Sequence, residues 1–267
     1  MALRILIVTA VAAEADSVAR GITFGGGGSE PVSEPGPGPG PDAFPLPGGY
    51  ALRRHGAPGD TSSYAIADVL VGGVGPAAAA AATSTALAYA TVRMPGHDRP
   101  YDLVVSAGIA GGFQPLAPLG SVVVSDAIVS ADLGAQTPDG YLTVEELGFG
   151  RSAHAVDDTL TRRISDALAG GGQRHTVAPV LTVSTVTGTA ERAAELARRH
   201  PGAAAEAMEG FGVAEAAAAY GVPVVEIRAV SNAVGPRDRG AWRIGQAMDA
   251  LRDTFQLLSP TVFAEPT

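Results

Sequence analysis

No cysteine occurs in the 267 residues, which excludes disulfides, thiolate nucleophiles and thiolate metal ligands. The five histidines are scattered without the paired spacing of a metal cage, so neither a metal nor another cofactor is expected. Positive charge is scarce: 18 Lys and Arg against 27 Asp and Glu leave a formal net charge of -9 and a pI near 5.0. A protein that grips a phosphate backbone needs a clustered basic surface to displace counterions, so nucleic acid is excluded as a partner. No apolar run approaches the roughly 20 residues that span a bilayer. The chain runs from Met1 and Arg4 into a strand-like segment without a charged signal region. These absences predict a cytoplasmic protein with no membrane partner, whose chemistry runs on carboxylates, amides, hydroxyls and backbone donors.

What is present is small and apolar. Hydrophobic residues make up 46% of the chain and charged ones 17%, a composition that affords the core of one α/β domain covering residues 1–267. Gly25 to Gly49 is dense in glycine and proline, with PGPGPGP from Pro35 to Pro41. Such a tract lacks ladder donors and helical dihedrals, so a mobile surface insertion is predicted there.

Short β-branched runs read as strands at Leu3 to Val8, Ala65 to Val71, Leu103 to Val105, Ser121 to Val129, Val177 to Val183 and Val222 to Val230. Between several of them lie helical stretches: one opening near Glu14 and Asp16, then Pro76 to Ala90, Val156 to Ala169, Ala190 to His200, Gly210 to Ala219 and Trp242 to Leu258. Alternating strands and helices predict an α/β fold with a mostly parallel sheet covered on both faces. In such sheets a ligand sits beyond the carboxyl ends of the strands.

The segments after those strand ends are therefore the candidates. They are Ala10 to Glu14, Gly72 to Pro76 (GGVGP), Ser106 to Gly112 (SAGIAGG, read as a glycine-rich loop), Ala207 to Gly210 (AMEG) and Ser231 to Asp238 (SNAVGPRD). Each alone has a plain structural reading: Glu14 as an acid favoured at a helix start, Asn232 as a turn residue, the glycines as ordinary turns. Glu209 has a stronger claim, because a carboxylate at an apolar helix entrance needs a partner.

Taken in order, the set resembles the nucleoside phosphorylase superfamily across nearly the whole chain. The closest layout is that of the methylthioadenosine/S-adenosylhomocysteine nucleosidases, which are hydrolases. The resemblance implies a three-layer fold with a mixed, twisted central sheet flanked by helices, a small-molecule nucleoside substrate and a homo-oligomer. It matches Glu14 with the carboxylate that activates water, and Glu209 with the one that binds ribose hydroxyls, Met208 packing beneath the sugar. Ala110 and Gly111 match positions near water and base, and Val186 one that lines the base pocket. Ile109 stands where a small hydroxyl residue is common. The glycine-rich segment carries no phosphate-gripping arginine pattern, which favours water as nucleophile.

Asn232 departs from the adenine-specific members, which have Asp there. An amide NH2 suits the O6 acceptor of a 6-oxopurine, and its carbonyl can accept a hydrogen from N7. Ile227 to Trp242 (IRAVSNAVGPRDRGAW) and Thr185 to Thr189 (TVTGT) resemble the futalosine hydrolases of menaquinone biosynthesis, although Ser184 stands where their pattern has Asn. This implies release of hypoxanthine from an inosine whose 5′ carbon carries a carboxyphenyl-propanone tail. Ser231 belongs to the same substrate-binding segment, and Arg237 and Arg239 suit the tail's carboxylate or, equally, a solvated charged loop. Asp238 reads as a loop carboxylate or as an auxiliary proton donor. The alternatives are a purine nucleoside phosphorylase, an aminofutalosine or methylthioadenosine nucleosidase, and a non-catalytic nucleoside-binding protein.

An unmatched buried polar contact costs about 1–3 kcal/mol. Asn232→Asp is therefore expected to shift the ratio of kcat/KM between 6-oxo and 6-amino substrates about tenfold or more toward the amino form. An unchanged ratio would remove Asn232 from base recognition.

Overall fold

The first apolar run forms β1 (Leu3–Thr9). Its side chains divide between two cores, Leu3, Ile5 and Ile7 in one, Leu6 and Val8 in the other. Successive residues of a strand point to opposite faces, so a run with apolar residues on both faces marks a strand covered on both sides. The computed structural model describes residues 3–24, 43–56, 65–93 and 99–264.

After β1 come α1 (Ala12–Gly21), β2 (Ala43–Pro45), β3 (Ala51–His55), β4 (Ala65–Val71) and α2 (Pro76–Arg93). The middle of the chain holds β5 (Leu103–Gly112), β6 (Val122–Val124), β7 (Ala127–Ser130), β8 (Gly134–Thr137), β9 (Gly140–Thr143), β10 (Ala153–Ala155) and α3 (Asp158–Gly170). Then follow β11 (His175–Val177), β12 (Val180–Thr182), α4 (Ala190–Arg199), β13 (Ala205–Ala207), α5 (Gly210–Ala219), β14 (Val224–Ala233) and α6 (Ile244–Leu258).

Among the described residues twelve strands join in one mixed sheet, its main path running β10-β7-β12-β13-β5-β1-β4-β3-β2, with β8 and β9 a separate hairpin. The fold class expected from the resemblance holds. β1 lies parallel between β4 and β5, while β2, β3, β10 and β13 bring antiparallel pairs. Side chains from α1, α3 and α6 fill one core; those of α2, with Val213, Ala216 and Ala217 of α5, fill the other. Among the described residues no helix is long and apolar enough to cross a membrane.

Three expectations need correction. Ser106 to Gly112 is no loop: β5 continues through it, pairing with β14 from Val104 to Gly112. On its other edge β5 leaves β1 after Ser106 and takes up β13 at Gly111 and Gly112. The glycines serve this crowded crossing, since a Cβ on Gly112 would lie 2.2 Å from the Ala117 carbonyl oxygen. Within the Gly25 to Gly49 tract, residues 25–42 lie outside the described residues. Residues 43–49 are part of the fold, with β2 paired to β3 and Leu46 buried. Pro45 is tolerated because β2 is the edge strand, where no ladder donor is missed. The runs Ser121 to Val129 and Val177 to Val183 each break in two, the second at Ala178 and Pro179, where the missing N–H ends one pairing and β12 begins another.

α5 sits against α2 closely enough that a Cβ on Gly212 would lie 2.0 Å from the Pro76 carbonyl oxygen. Gly212→Ala is expected to force these helices apart and lower unfolding free energy by about 1–3 kcal/mol, the usual penalty of overpacking. Urea denaturation measures it, and an unchanged midpoint would contradict the packing described.

Candidate active site

Glu14 is the third residue of α1, where backbone N–H groups lack helical partners. Its Oε2 accepts from Ala10 N–H at 2.9 Å and Val11 N–H at 3.2 Å, and Oε1 accepts from Ile109 N–H of β5 at 2.9 Å. The side chain is thus both a helix cap and a tie to the central strand, and it is 3% exposed. Gly108 permits the reach: a Cβ there would lie 2.5 Å from Glu14 Oε1 and 2.6 Å from Arg228 Nη1.

Glu209 arrives from a distant stretch, just before α5. Its Oε1 accepts the Gly75 N–H at 3.2 Å. Gly75 has φ +93°, a conformation glycine adopts without steric cost, so the GGVGP turn presents its amide to the carboxylate. Glu209 Oε2 lies 3.2 Å from Arg228 Nη2. Met208, half-buried, precedes it.

Arg228 of β14, to which the sequence reading gave no role, joins these groups. It is 1% exposed; Nε donates to Glu226 Oε1 at 2.7 Å and Nη2 to Ser106 Oγ at 3.1 Å. Burial opposes its charge, but Glu226, Glu209 and Glu14 together raise the guanidinium above the ordinary arginine value. Burial also pushes the Glu226 carboxyl up, against the pull of Arg228, and Glu226 Oε2 has no hydrogen-bond partner among the described residues. A signal for this pair was present: Glu226 and Arg228 stand two apart, hence on one face, in an otherwise apolar strand.

Two residues beyond Ile109, a step of about 7 Å along the strand, Gly111 opens a second feature. β13 brings Glu206 and β14 brings Asn232 into register with Gly111 from opposite sides. The β14 ladder shifts between Val230 and Asn232, a bulge of the kind that re-aims a side chain. Asn232 Oδ1 accepts from Ser231 Oγ at 2.9 Å and Nδ2 donates to the Ala233 carbonyl at 3.0 Å, leaving one amide hydrogen over. Ser231 is buried, also 3.2 Å from the Ala110 carbonyl oxygen, so it orients the amide from behind.

These groups line a narrow cleft of about 70 Å³ with Val186, Thr187, Arg237 and Trp242. Gly111, Val186, Asn232 and Arg237 thus come together as a set. Glu14, Glu209 and Met208 do not line it; Glu14 is hydrogen-bonded to Ile109, and Glu209 meets Arg228, which is in register with Gly108 of β5. Arg239 also lies off the cleft, and Asp238, exposed, accepts the Gly240 N–H at 3.0 Å. Both arginines stack on the only tryptophan, with guanidinium carbons 5.4 Å (Arg237) and 5.9 Å (Arg239) from the Trp242 ring centre. Glu206 was missed by the sequence reading. Thr187 donates to it through its N–H at 2.8 Å and through its hydroxyl, while burial pushes the carboxyl up against those bonds.

A carboxylate pair at the strand ends, one strand step from a cleft edged by an amide, suits a ligand with a polyhydroxyl ring joined to a flat polar base. The class follows from fold and site together: a family model described as the phosphorylase superfamily matches residues 65–262, and the chain belongs to that superfamily. Within it the chain is 53% identical over 260 residues to the futalosine hydrolase of Streptomyces coelicolor, covering 97% of each. It is 45% identical over 258 residues to that of Acidothermus cellulolyticus, covering 97% of this chain and 91% of the other. It belongs with the futalosine hydrolases. The solved structure of the Helicobacter pylori futalosine hydrolase shares the fold at a TM-score of 0.73, with 16% identity and coverage of 97% and 98%.

Removing Arg228 would leave buried carboxylates facing one another. Arg228→Met is expected to cost about 3–5 kcal/mol at neutral pH. The deficit should shrink as pH falls: Glu226 is already raised, loses its one opposing cation, and so holds a proton more tightly folded than unfolded, which makes stability rise as pH is lowered. Urea denaturation across pH measures this, and a loss independent of pH would contradict the charge account.

Proposed function

We propose that this protein hydrolyses the N-glycosidic bond of futalosine, releasing hypoxanthine and dehypoxanthine futalosine on the route to menaquinone. One observation carries the reading: Glu14 and Glu209, 195 positions apart, both border the single buried guanidinium of Arg228, one strand step from the cleft that holds Asn232. The identity with futalosine hydrolases supports the substrate. A cytoplasmic homo-oligomer is part of the same reading.

The C1′–N9 bond lengthens first and the sugar takes on oxocarbenium character before water arrives. Glu14, its carboxylate held by three backbone donors, orients and deprotonates that water, for which it must come within about 3 Å. Glu209 holds the 2′ and 3′ hydroxyls and places negative charge beside the cationic sugar, an effect that grows as water is excluded. Asn232 offers its remaining N–H to O6 of the departing base. The base leaves as the purine anion and takes a proton from solvent, while Glu14 gives up to solvent the one it took from water. A 6-oxopurine leaves more readily than adenine, so a neutral amide suffices. Arg237, at the edge of the cleft, is placed to meet the tail's carboxylate.

Water rather than phosphate fits the charge distribution. Arg228, the cation beside the carboxylate pair, is committed to Glu226, Ser106 and Glu209.

Purified protein given futalosine should release hypoxanthine at a rate indifferent to added phosphate, and inosine should be cleaved more slowly. Dependence on phosphate would identify a phosphorylase instead. Glu14→Gln and Glu209→Gln should each lose more than about tenfold in kcat/KM, or about 1.4 kcal/mol of transition-state stabilisation. Retention of activity by either variant would remove that carboxylate from the mechanism.

A further inference from the structure

Among the buried titratable groups without a part in the proposed mechanism, one stands at the cleft itself. Glu206 lines the cleft beside Asn232 yet is 6% exposed. Its β13 and the β14 of Asn232 flank the same residue of β5, Gly111, from its two sides. Neighbouring strands lie about 4.8 Å apart, so the two side chains rise from backbones about 10 Å from each other, with a glycine between them. A Cβ on Gly111 would sit 3.2 Å from Asn232 Nδ2 and 3.0 Å from Val234 Cγ2, intruding where the amide points. The result is a slot with a side-chain-free floor, an amide on one wall and a carboxylate on the other.

The two walls differ in what they ask of a ligand. An amide N–H seeks an acceptor and a carboxylate seeks a donor. Along one edge a 6-oxopurine presents N7 and O6 as acceptors, followed by N1–H as a donor. A 6-aminopurine presents the reverse at the last two positions, an amino donor and then an N1 acceptor. Asn232 can serve the N7 and O6 end. That leaves N1–H needing an acceptor on the opposite wall.

We propose that Glu206 is a specificity-determining residue of this site, its carboxylate accepting N1–H of the 6-oxopurine base. The inference rests on the reading of the cleft as a purine pocket given above. Thr187 donates through its N–H to Oε1 and through its hydroxyl to Oε2. Each oxygen keeps a further lone pair, and the carboxylate is fixed in rotation rather than free to turn away. Burial opposes its charge, while the two Thr187 hydrogen bonds and the nearby Arg192 favour it and Asp132 opposes it. A 6-aminopurine would set its N1 lone pair against the same oxygens, an unmatched contact that discriminates by about tenfold to a hundredfold. Recognition is thereby split between two strands, and the base is read at both ends of one edge.

The test uses two nucleosides with the same 5′ group, one carrying hypoxanthine and one adenine, with kcat/KM measured for wild type, Glu206→Gln, Glu206→Asp and Thr187→Val. Calorimetric binding of free hypoxanthine and free adenine accompanies it. Glu206→Gln keeps an oxygen on the Thr187 N–H and turns a donor toward N1–H. It should lower kcat/KM for the hypoxanthine nucleoside about tenfold to a hundredfold, leave that for the adenine nucleoside unchanged or higher, and weaken hypoxanthine binding alone. Glu206→Asp should restore part of the preference, and Thr187→Val should lower both substrates alike. Equal losses on both substrates in Glu206→Gln, with hypoxanthine binding reduced no more than adenine binding, would overturn the proposal and reduce Glu206 to an anchor for Thr187. A wild-type protein that binds hypoxanthine but cleaves neither nucleoside would sink the proposed reaction, while base binding by the variants would still decide the role of Glu206.

Discussion

One buried guanidinium holds the centre of this molecule together. Arg228 is enclosed between Glu226, Glu209 and Ser106, with Glu14 close by, and no other cation reaches the group among the described ion pairs. A charge removed from water is tolerated only where partners compensate it, and here the partners come from four elements, two of them, α1 and β5, far from Arg228 in sequence. Helix α1, strand β5, the entrance of α5 and strand β14 must all be in place before the charges balance. The arrangement therefore acts as a registration device: the fold that buries Arg228 is the fold that brings Glu14 and Glu209 to the same guanidinium.

Strand β5 carries that registration from the carboxylates to the cleft. Ile109 meets Glu14, Ala110 offers its carbonyl to Ser231, and Gly111 separates Glu206 from Asn232. Its small residues serve backbone approach more than flexibility, since side chains on Gly108, Gly111 or Gly112 would occupy space held by Glu14, Asn232 or the Ala117 carbonyl. A rigid strand is a better ruler than a loop. The separation between the proposed sugar and base contacts is set by the rise of the strand.

Much of the order of strands and helices was legible from periodicity, and the mixed-sheet fold class from the family resemblance; the Glu206 wall of the cleft was not. The β1, β4 and α2 readings survive because their patterns are local: a mostly apolar run, or an alanine-rich one after a GGVGP turn. Other features depended on pairing that one segment cannot announce. SAGIAGG reads as a loop by its composition, and becomes a strand because β14 and β13 supply partners along it. Three-residue strands such as β10 and β13 exist only through their neighbours. Glu206 and Arg228 escaped notice for a related reason, since each gains its meaning from groups far away in the chain. Trp242 belongs with them, an aromatic in a charged segment that folds back onto the cleft.

The register shift in β14 has an evolutionary consequence. Upstream of it Arg228 is locked to the sheet; downstream, Asn232 and the segment that Arg243 N–H ties back to the Ser231 carbonyl form a detachable cassette. Ligand preference can diverge by lengthening, shortening or resequencing that cassette while the ionic hub stays untouched. Descendants of such a scaffold would inherit one way of breaking a bond and differ in what they admit.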